Sequence, residues 1–518
     1  MPLLRTGEAF LLILCFLGAF IYVSSHAWLE EDAFFTFRVI DNFVHGYGLR
    51  WNIDERVQVY THPLWMLSLV PFYMMVNNVY VASFALSAFC GILCVGVMWN
   101  SVAASRVHKL VLILLPLLCS ATFNDYAASG LENPLSCLLV AWFWQEFLMP
   151  RTPGSTRLYL IAALCLLTRY DHVFVLLPAL LYHSWQGRQV MDYRKLLYSL
   201  SPLLLWALFS LVYYGFLFPN TKYAKLNANV PPELLHHWGW NYIWNFLFYD
   251  PFSAFILFLC GLFCLSPRLR KNVPACKITV MWLGIVLHVG YIIHIGGDYM
   301  AGRFFSTSFI TAVMLLLMLC ARLRFRQLSL LAGVMLAFQL AHLQSWLPYA
   351  HHRAEAFKEG IVDERVALLG SNGMFSDKER FFRRMPSYSV ISDGQKKRRE
   401  TGKSDTVQVY VYFSGMYGYC AGPHVIIIDN LALPDALLAR LPFSYIQRSG
   451  HYFRNVPEGY EEARRTGSTA NMAAPLAAYY EKLRLVTSAP LFSAERWKAI
   501  IGFQLGRYDG LLREYTKK

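Results

Sequence analysis

The chain has 518 residues, of which 56% are hydrophobic, 16% aromatic and only 15% charged. Its mean hydropathy is +0.36, and a charged share so far below the roughly 25% of soluble domains argues for a polytopic membrane protein rather than a soluble enzyme. The formal charge of +14 is dispersed through short stretches between apolar segments, the pattern of membrane topology and not the clustered footprint of nucleic-acid binding.

The first apolar run, Ala9 to Trp28, follows Arg5. It is about 20 residues long and is followed by further apolar segments, so it reads as an uncleaved helix and not a signal peptide. The acidic motif Glu30-Glu31-Asp32-Ala33-Phe34-Phe35-Thr36-Phe37-Arg38 comes directly after it. Carboxylates beside a membrane are costly to desolvate and call for a reason. The rest of this loop is aromatic and polar, with Asn42, His45, Trp51, Asn52, Glu55, Tyr60, Thr61 and His62 leading to Trp65. Two readings stand: an interfacial amphipathic helix with an aromatic belt, or part of a site.

Further apolar segments run over about 64–79, 80–100, 110–123, 134–149, 157–168, 172–184, 196–217, 253–266, 278–295, 304–322 and 328–346. Basic residues mark the cytoplasmic turns: Arg106 with Lys109, Arg151 with Arg157, Arg188 with Arg194 and Lys195, Arg268 through Lys277, and Arg322 through Arg326. The outward loops are then 29–63, 124–133, 218–252 and 296–303, together with everything after 347. Counting 64–79, which contains Pro71, as a short, partly interfacial piece gives about eleven transmembrane helices, with about 12 or 13 as the alternative count.

Beyond Pro348 charges become dense and alternation appears in Val407-Gln408-Val409-Tyr410-Val411-Tyr412 and His424-Val425-Ile426-Ile427-Ile428-Asp429. These are strand patterns, flanked by helical patterns at 434–441 and 474–485. Residues 1–346 thus read as a transmembrane domain and 347–518 as a soluble α/β or α+β domain. The eleven cysteines show neither a disulfide framework nor zinc spacing, and only Cys420 lies in the polar part. The His236-His237 and His351-His352 pairs read as interfacial polar residues.

Three outward loops and one interrupted helix carry ionisable groups: Ser129-Gly130-Leu131-Glu132-Asn133-Pro134, Phe218-Pro219-Asn220-Thr221-Lys222, Gly296-Gly297-Asp298-Tyr299-Met300-Ala301-Gly302-Arg303, and Thr168-Arg169-Tyr170-Asp171. Each alone suits a solvated turn or a structural ion pair. Four on one face suit a lipid-linked sugar: Arg or Lys for its phosphate, carboxylates and aromatic rings for the sugar, and a groove between apolar helices for the tail.

These residues match a known pattern. Glu31-Asp32-Ala33-Phe34, Arg38, Asn42, Gly46-Tyr47-Gly48-Leu49, Glu55 and Tyr60-Thr61-His62-Pro63-Leu64-Trp65 resemble the opening of GT-C glycosyltransferases. The branch is that of the mycobacterial terminal arabinofuranosyltransferase and the pseudomonad pilin arabinosyltransferase. The likeness continues at Ser129 to Glu132, Thr168 to Asp171, Pro219-Asn220-Thr221, Gly296-Gly297-Asp298, Gly418-Tyr419, Ile428-Asp429, Pro434-Asp435 and Ala439-Arg440. Two positions depart from it: Glu31 stands where the family often has Asp, and Tyr170 where it often has Pro.

The resemblance implies a GT-C fold and transfer of D-arabinofuranose from a polyprenyl-phosphate donor to an envelope glycan or pilin. The place would be the periplasmic face of a bacterial inner membrane, with the C-terminal domain on that side. On this reading Asp32 takes the acceptor's hydroxyl proton, with Glu31 tuning it; a retaining outcome would instead make Asp32 a nucleophile. Arg38, His62, Lys222 and Arg303 would hold the donor phosphate. Asp298, Glu132, Asn220, Trp51, Tyr60 and Trp65 would contact sugar or acceptor, and Arg169 with Asp171 would form a supporting pair. No required cofactor and no metal ligand set are expected, although carboxylates with a phosphate can recruit a divalent ion. The rivals are a flippase for a lipid-linked sugar, which would show repeat symmetry, and a non-catalytic envelope scaffold.

Overall fold

The computed structural model describes Ser25 and residues 27–149, 155–187, 192–226, 228–270, 274–342, 360–373, 389–410 and 413–517. Most of the expected first helix, Arg5, Arg151, Arg188, Lys271, His351-His352, and the strand residues Val411 and Tyr412 lie outside the described residues. The helices are α1 (Ala33–Val44), α2 (Pro63–Val76), α3 (Val79–Trp99), α4 (Asn133–Leu148), α5 (Arg157–Thr168), α6 (His172–Gly187), α7 (Tyr193–Tyr213), α8 (Pro232–Tyr249), α9 (Pro251–Leu265), α10 (Ala275–His294), α11 (Phe305–Cys320), α12 (Phe325–Ala341), α13 (Glu364–Asn372), α14 (Ser389–Thr401), α15 (Ser414–Ala421), α16 (Tyr460–Thr466), α17 (Ala474–Ser488), α18 (Ala494–Gln504) and α19 (Asp509–Thr516). The strands are β1 (Thr406–Tyr410), β2 (Val425–Asp429), β3 (Tyr445–Arg448) and β4 (His451–Phe453).

Among the described residues, α3, α7 and α10 are long and apolar enough to cross a membrane, and α8 with α9 would make a fourth crossing, bent by 104°, if counted as one span. Four shorter apolar helices, α2, α5, α11 and α12, accompany them. The stretch expected as an outer loop, 218–252, is helical over α8; Pro251 opens α9 and Asp250 caps it through Ser253 N at 3.0 Å, so Pro and cap together start a new helix in a new direction. The run at 110–123 is likewise broken, passing from a short α-turn through a π-turn at Leu110–Leu114 to Leu115–Cys119 and Ala121–Asn124. Pro116, without an N–H, falls at that junction.

Contacts divide the chain into two units, each discontinuous in sequence. The first is Met1–Glu30, Met75–Ser199 and Gly239–Pro386; the second is Glu31–Met74, Leu200–Trp238 and Ser387–Lys518. The division therefore does not fall at 346/347: the acidic-motif segment groups with the C-terminal region, and residues 360–373 group with the helical bundle.

In the first unit α11 is central and buried nearly all round, in keeping with its mostly apolar sequence. Trp144 of α4 donates its indole N–H to Thr311 Oγ1 of α11 at 2.9 Å. In the second unit β1 and β2 pair in parallel, Thr406 opposite Val425 and Tyr410 opposite Asp429. Helix α15 is the crossover that a parallel pair requires. Strands β3 and β4 form a separate antiparallel pair with a register shift between Ile446 and Arg448. The C-terminal region is thus a small mixed α and β arrangement with two-stranded sheets. Both strand patterns are found, β2 fully buried; the pattern at 434–441 folds only as a single 3-10 turn, Leu438–Arg440.

Candidate active site

The second unit holds the acidic motif. Asp32 is the N-cap of α1, half-buried, and its side chain makes no capping bond. Glu31 points to the N-terminus of α15, where its Oε1 accepts Gly415 N at 2.6 Å and Met416 N at 3.4 Å. The residue before that helix, Phe413, has φ +48°, a left-handed conformation uncommon outside glycine that clusters at functional sites. Burial first, and then the charge of Asp32, push the Glu31 carboxyl well above its ordinary value, outweighing the two backbone bonds. The fold thus favours the neutral form of Glu31 beside Asp32.

Arg38 is buried, and its Nη2 donates to Gly422 O at 3.2 Å and Val425 O at 2.7 Å. Its guanidinium lies 4.2 Å over Trp51, and burial lowers its pKa to about 9. Arg38 therefore ties α1 to the α15–β2 turn and does not face an open phosphate site. Trp51 is fully buried and stacks on Phe35. Tyr60 is bonded to Tyr214 through their hydroxyls at 2.8 Å, and Trp65 is fully buried. Asn220 donates to Ala432 O, Leu433 O and Asp435 O at 3.0 Å each. In this structure these four, expected to contact sugar or acceptor, are buried and held by neighbouring side chains or carbonyls. His62 Nε2 is 2.8 Å from Thr36 Oγ1 on α1, and the Lys222 ammonium sits over the Phe218 ring.

Helix α15 approaches α1 closely because of its glycines. A Cβ at Gly418 would lie 2.6 Å from Arg38 Nη1 and 2.7 Å from Trp51 Cζ2. Gly418→Ala should destabilise the protein by about 1–3 kcal/mol through overpacking, read as an earlier thermal transition in detergent.

The same unit buries a second charged group. Arg464 contacts Asp54 at 2.8 Å, Glu55 at 2.6 Å and Asp435 at 3.7 Å. Burial, opposed in part by Arg464, raises Glu55 from 4.5 to about 8. The fold thus favours the neutral form, whereas the unfolded chain ionises near 4.5. Between those values the native state binds more protons, so stability should fall as pH rises. Glu55→Gln, which keeps an acceptor for Arg464, should flatten that slope in unfolding midpoints measured across the range.

The first unit brings three of the four ionisable motifs together. Glu132, with no exposed surface, accepts Arg169 Nη1 at 2.9 Å and Arg303 Nη2 at 3.0 and 3.2 Å. Arg169 forms a bidentate pair with Asp171 at 2.9 and 3.1 Å. Arg303 Nη1 is 3.8 Å from Asp298 Oδ2. Burial works to raise the Asp171 carboxyl, but Arg169 more than reverses this and holds it well below the usual carboxylate range. Asp298 is presented by a turn in which Gly297 has φ +67° and a Cβ would strike Tyr242 Cβ at 2.5 Å, so only glycine fits there.

Sequence reading missed three members of this surrounding. His288 of α10 lies 2.8 Å from Ser308 Oγ and 3.4 Å from Asp171 Oδ2; a histidine inside an apolar segment was the available signal. Arg365 and Asp125 form a buried pair at 3.2 Å, and Val362 N and O bond to Tyr299 O and Ala301 N, placing this segment against the Asp298 turn. Arg365 carried no sequence signal, since it follows a long polar stretch.

An apolar cleft lies in this unit, lined by Phe84, Ile92, Leu114, Leu118 and Phe123, and reaching Asn133 and Ser306. Asn133 Nδ2 donates to Ser306 Oγ at 3.0 Å and Arg303 O at 3.4 Å. At the cleft's polar end, Asn133 adjoins Glu132 in sequence and bonds to the Arg303 carbonyl. Among the described residues no group of three or more His, Cys, Asp or Glu is arranged to hold a metal ion.

No protein-family model matches the chain. It is 23% identical over 324 residues to the terminal beta-(1->2)-arabinofuranosyltransferase of Corynebacterium glutamicum, covering 53% of this chain and 46% of that protein. The chain thus spans about half the length of the curated relative it matches. It is also similar to the crystal structure of ArnT from Cupriavidus metallidurans bound to undecaprenyl phosphate, with TM-score 0.46, 13% identity, and coverage of 85% of this chain and 90% of that one. Both likenesses are distant ones.

Proposed function

We propose that this chain is a polytopic GT-C glycosyltransferase that moves a sugar, D-arabinofuranose, from a polyprenyl-phosphate donor to a hydroxyl of an envelope glycan or pilin at the outer face of a bacterial inner membrane. One observation carries it: Glu132, Arg169, Asp171, Asp298 and Arg303, drawn from three sequence-distant motifs, meet beside the polar end of an apolar cleft. A prenyl tail suits the apolar cleft, and a phosphate suits Arg169 and Arg303 near its Asn133 end. The sugar rests on the distant arabinofuranosyltransferase relative.

In the reaction the acceptor oxygen attacks the anomeric carbon, Asp32 accepts its proton, the bond from that carbon to the phosphate oxygen breaks, and polyprenyl phosphate departs. Arg303 stabilises the charge that develops on the phosphate. Lys222 and His62 remain assigned to the phosphate as well, whereas Arg38 acts by fixing α1. Glu31, as the neutral member of the pair, positions the acceptor.

The test is purified protein in nanodiscs with a synthetic prenyl-phosphate arabinofuranose and a glycan acceptor, followed by mass spectrometry. Appearance of prenyl phosphate with a glycosylated acceptor supports the assignment. An intact donor moved between leaflets would establish the flippase instead. A chelator arm reads any need for a divalent ion, and the anomeric configuration of the product separates the base and nucleophile roles of Asp32.

A further inference from the structure

Helix α18 lies across the end of α7. Arg496, fully buried near the start of α18, donates Nε to Val486 O at 2.9 Å, Nη1 to Leu491 O at 3.0 Å and Nη2 to Tyr213 O, the last residue of α7, at 3.0 Å. At the other end of α18, Gln504 Nε2 reaches Gly215 O at 3.4 Å. Phe503 packs on Phe216, and Ile500 with Val486 fills the space beside Gly215. A helix about 16 Å long tied at both ends to residues 213 and 215 runs crosswise over the α7 terminus.

Helix α7 is one of the segments long and apolar enough to cross a membrane, and Leu204, Leu205 and Leu208 on its flank are exposed. If α7 spans the bilayer, its terminal carbonyls lie where it emerges, and a helix laid over them lies at the depth of the headgroups. The side of α18 turned from the protein carries Lys498, Ile501 and Leu505, spaced i, i+3, i+7 on one face. Ile501 is 51% exposed, Leu505 62%, and Phe492, next to the Leu491 carbonyl held by Arg496, 79%. Scattered exposed leucines need no account. Three large apolar side chains on α18 and at its two ends, with exposed Lys498 and Arg507 beside them, have the composition of an in-plane interfacial helix.

We propose that α18, with Phe492 before it, is an interfacial anchor whose partner is the lipid bilayer. Phe492, Ile501 and Leu505 insert at the headgroup–acyl boundary and Lys498 and Arg507 extend to lipid phosphates. The C-terminal region is then seated on the membrane at a second place, besides its continuity with α7.

The test places a nitroxide at Ile501→Cys or Leu505→Cys in nanodiscs of mixed zwitterionic and anionic lipid, with Glu481→Cys on α17 as the solvent reference and the unsubstituted chain, labelled in parallel, as background. Labels at 501 and 505 should relax preferentially with oxygen and the label at 481 with a water-soluble nickel chelate. Equal chelate access at all three overturns the proposal. Spin–spin broadening that disappears on dilution with unlabelled protein assigns the face to a second copy and also overturns it. Independently of any substitution, a photoreactive phospholipid should form adducts on the peptide 492–507, and absence of adducts there overturns it.

Discussion

Asp32→Asn is expected to lower the rate of sugar transfer by about two to four orders of magnitude, the usual contribution of a positioned general base, with little change in folding. The side chain is half-buried at the N-cap of α1 and makes no capping bond, so an isosteric amide leaves the helix start intact. It removes the ability to take a proton, together with the negative charge that Glu31 feels. The neighbouring carboxyl should behave oppositely. Burial and Asp32 hold Glu31 neutral, and its Oε1 serves as an acceptor for Gly415 N and Met416 N. Glutamine can accept those bonds and still donate from its NH2, so Glu31→Gln should retain most of the activity. Initial rates with a prenyl-phosphate sugar measure both. Activity of Asp32→Asn near that of the unsubstituted protein would remove this carboxylate from the mechanism, and loss in Glu31→Gln alone would exchange the roles of the pair.

Much of this arrangement was legible in the sequence because ionisable groups are rare between apolar segments and so stand out. Glu132, Arg169, Asp171, Asp298 and Arg303 were found that way, and the structure joins them through ion pairs. Trp51, Tyr60, Trp65 and Asn220 carried no such signal, and all four are buried. Aromatic and amide side chains look alike on paper whether they line a cavity or fill a core, and only the partners Arg38, Tyr214 and the 432–435 carbonyls tell the two apart. Strand patterns at β1 and β2 were readable from alternation and β-branched content. The grouping of 31–74 with 387–518 was not, because contacts such as Asn52 with Ile427, paired in both directions at 2.9 and 3.0 Å, leave no periodic trace in either segment. The α8–α9 bend was hidden for a related reason: its cap residue, Asp250, reads as one more polar residue in an aromatic loop.

Removing Glu132 should have the largest effect on stability. Its carboxylate is shared by Arg169 and Arg303, both nearly buried, and it has no exposed surface. Glu132→Ala leaves two guanidinium groups facing a void, with Asp171 and the more distant Asp298 as counter-charges among the described residues. Breaking a buried ion pair from one side typically costs about 3–5 kcal/mol, because the remaining charge is stranded away from water. The variant should therefore unfold earlier in detergent by thermal scanning. Glu132→Gln keeps the volume and one acceptor, and should recover part of that stability without restoring the negative charge. The pair separates two contributions. If Glu132 serves only to fold the first unit, Glu132→Gln should transfer sugar at a rate that follows its folded fraction. If it also sets the direction in which Arg303 points, donor KM should rise in Glu132→Gln even where the protein is fully folded, since an Arg303 no longer held at 3.0 Å meets the phosphate with its fork misaligned.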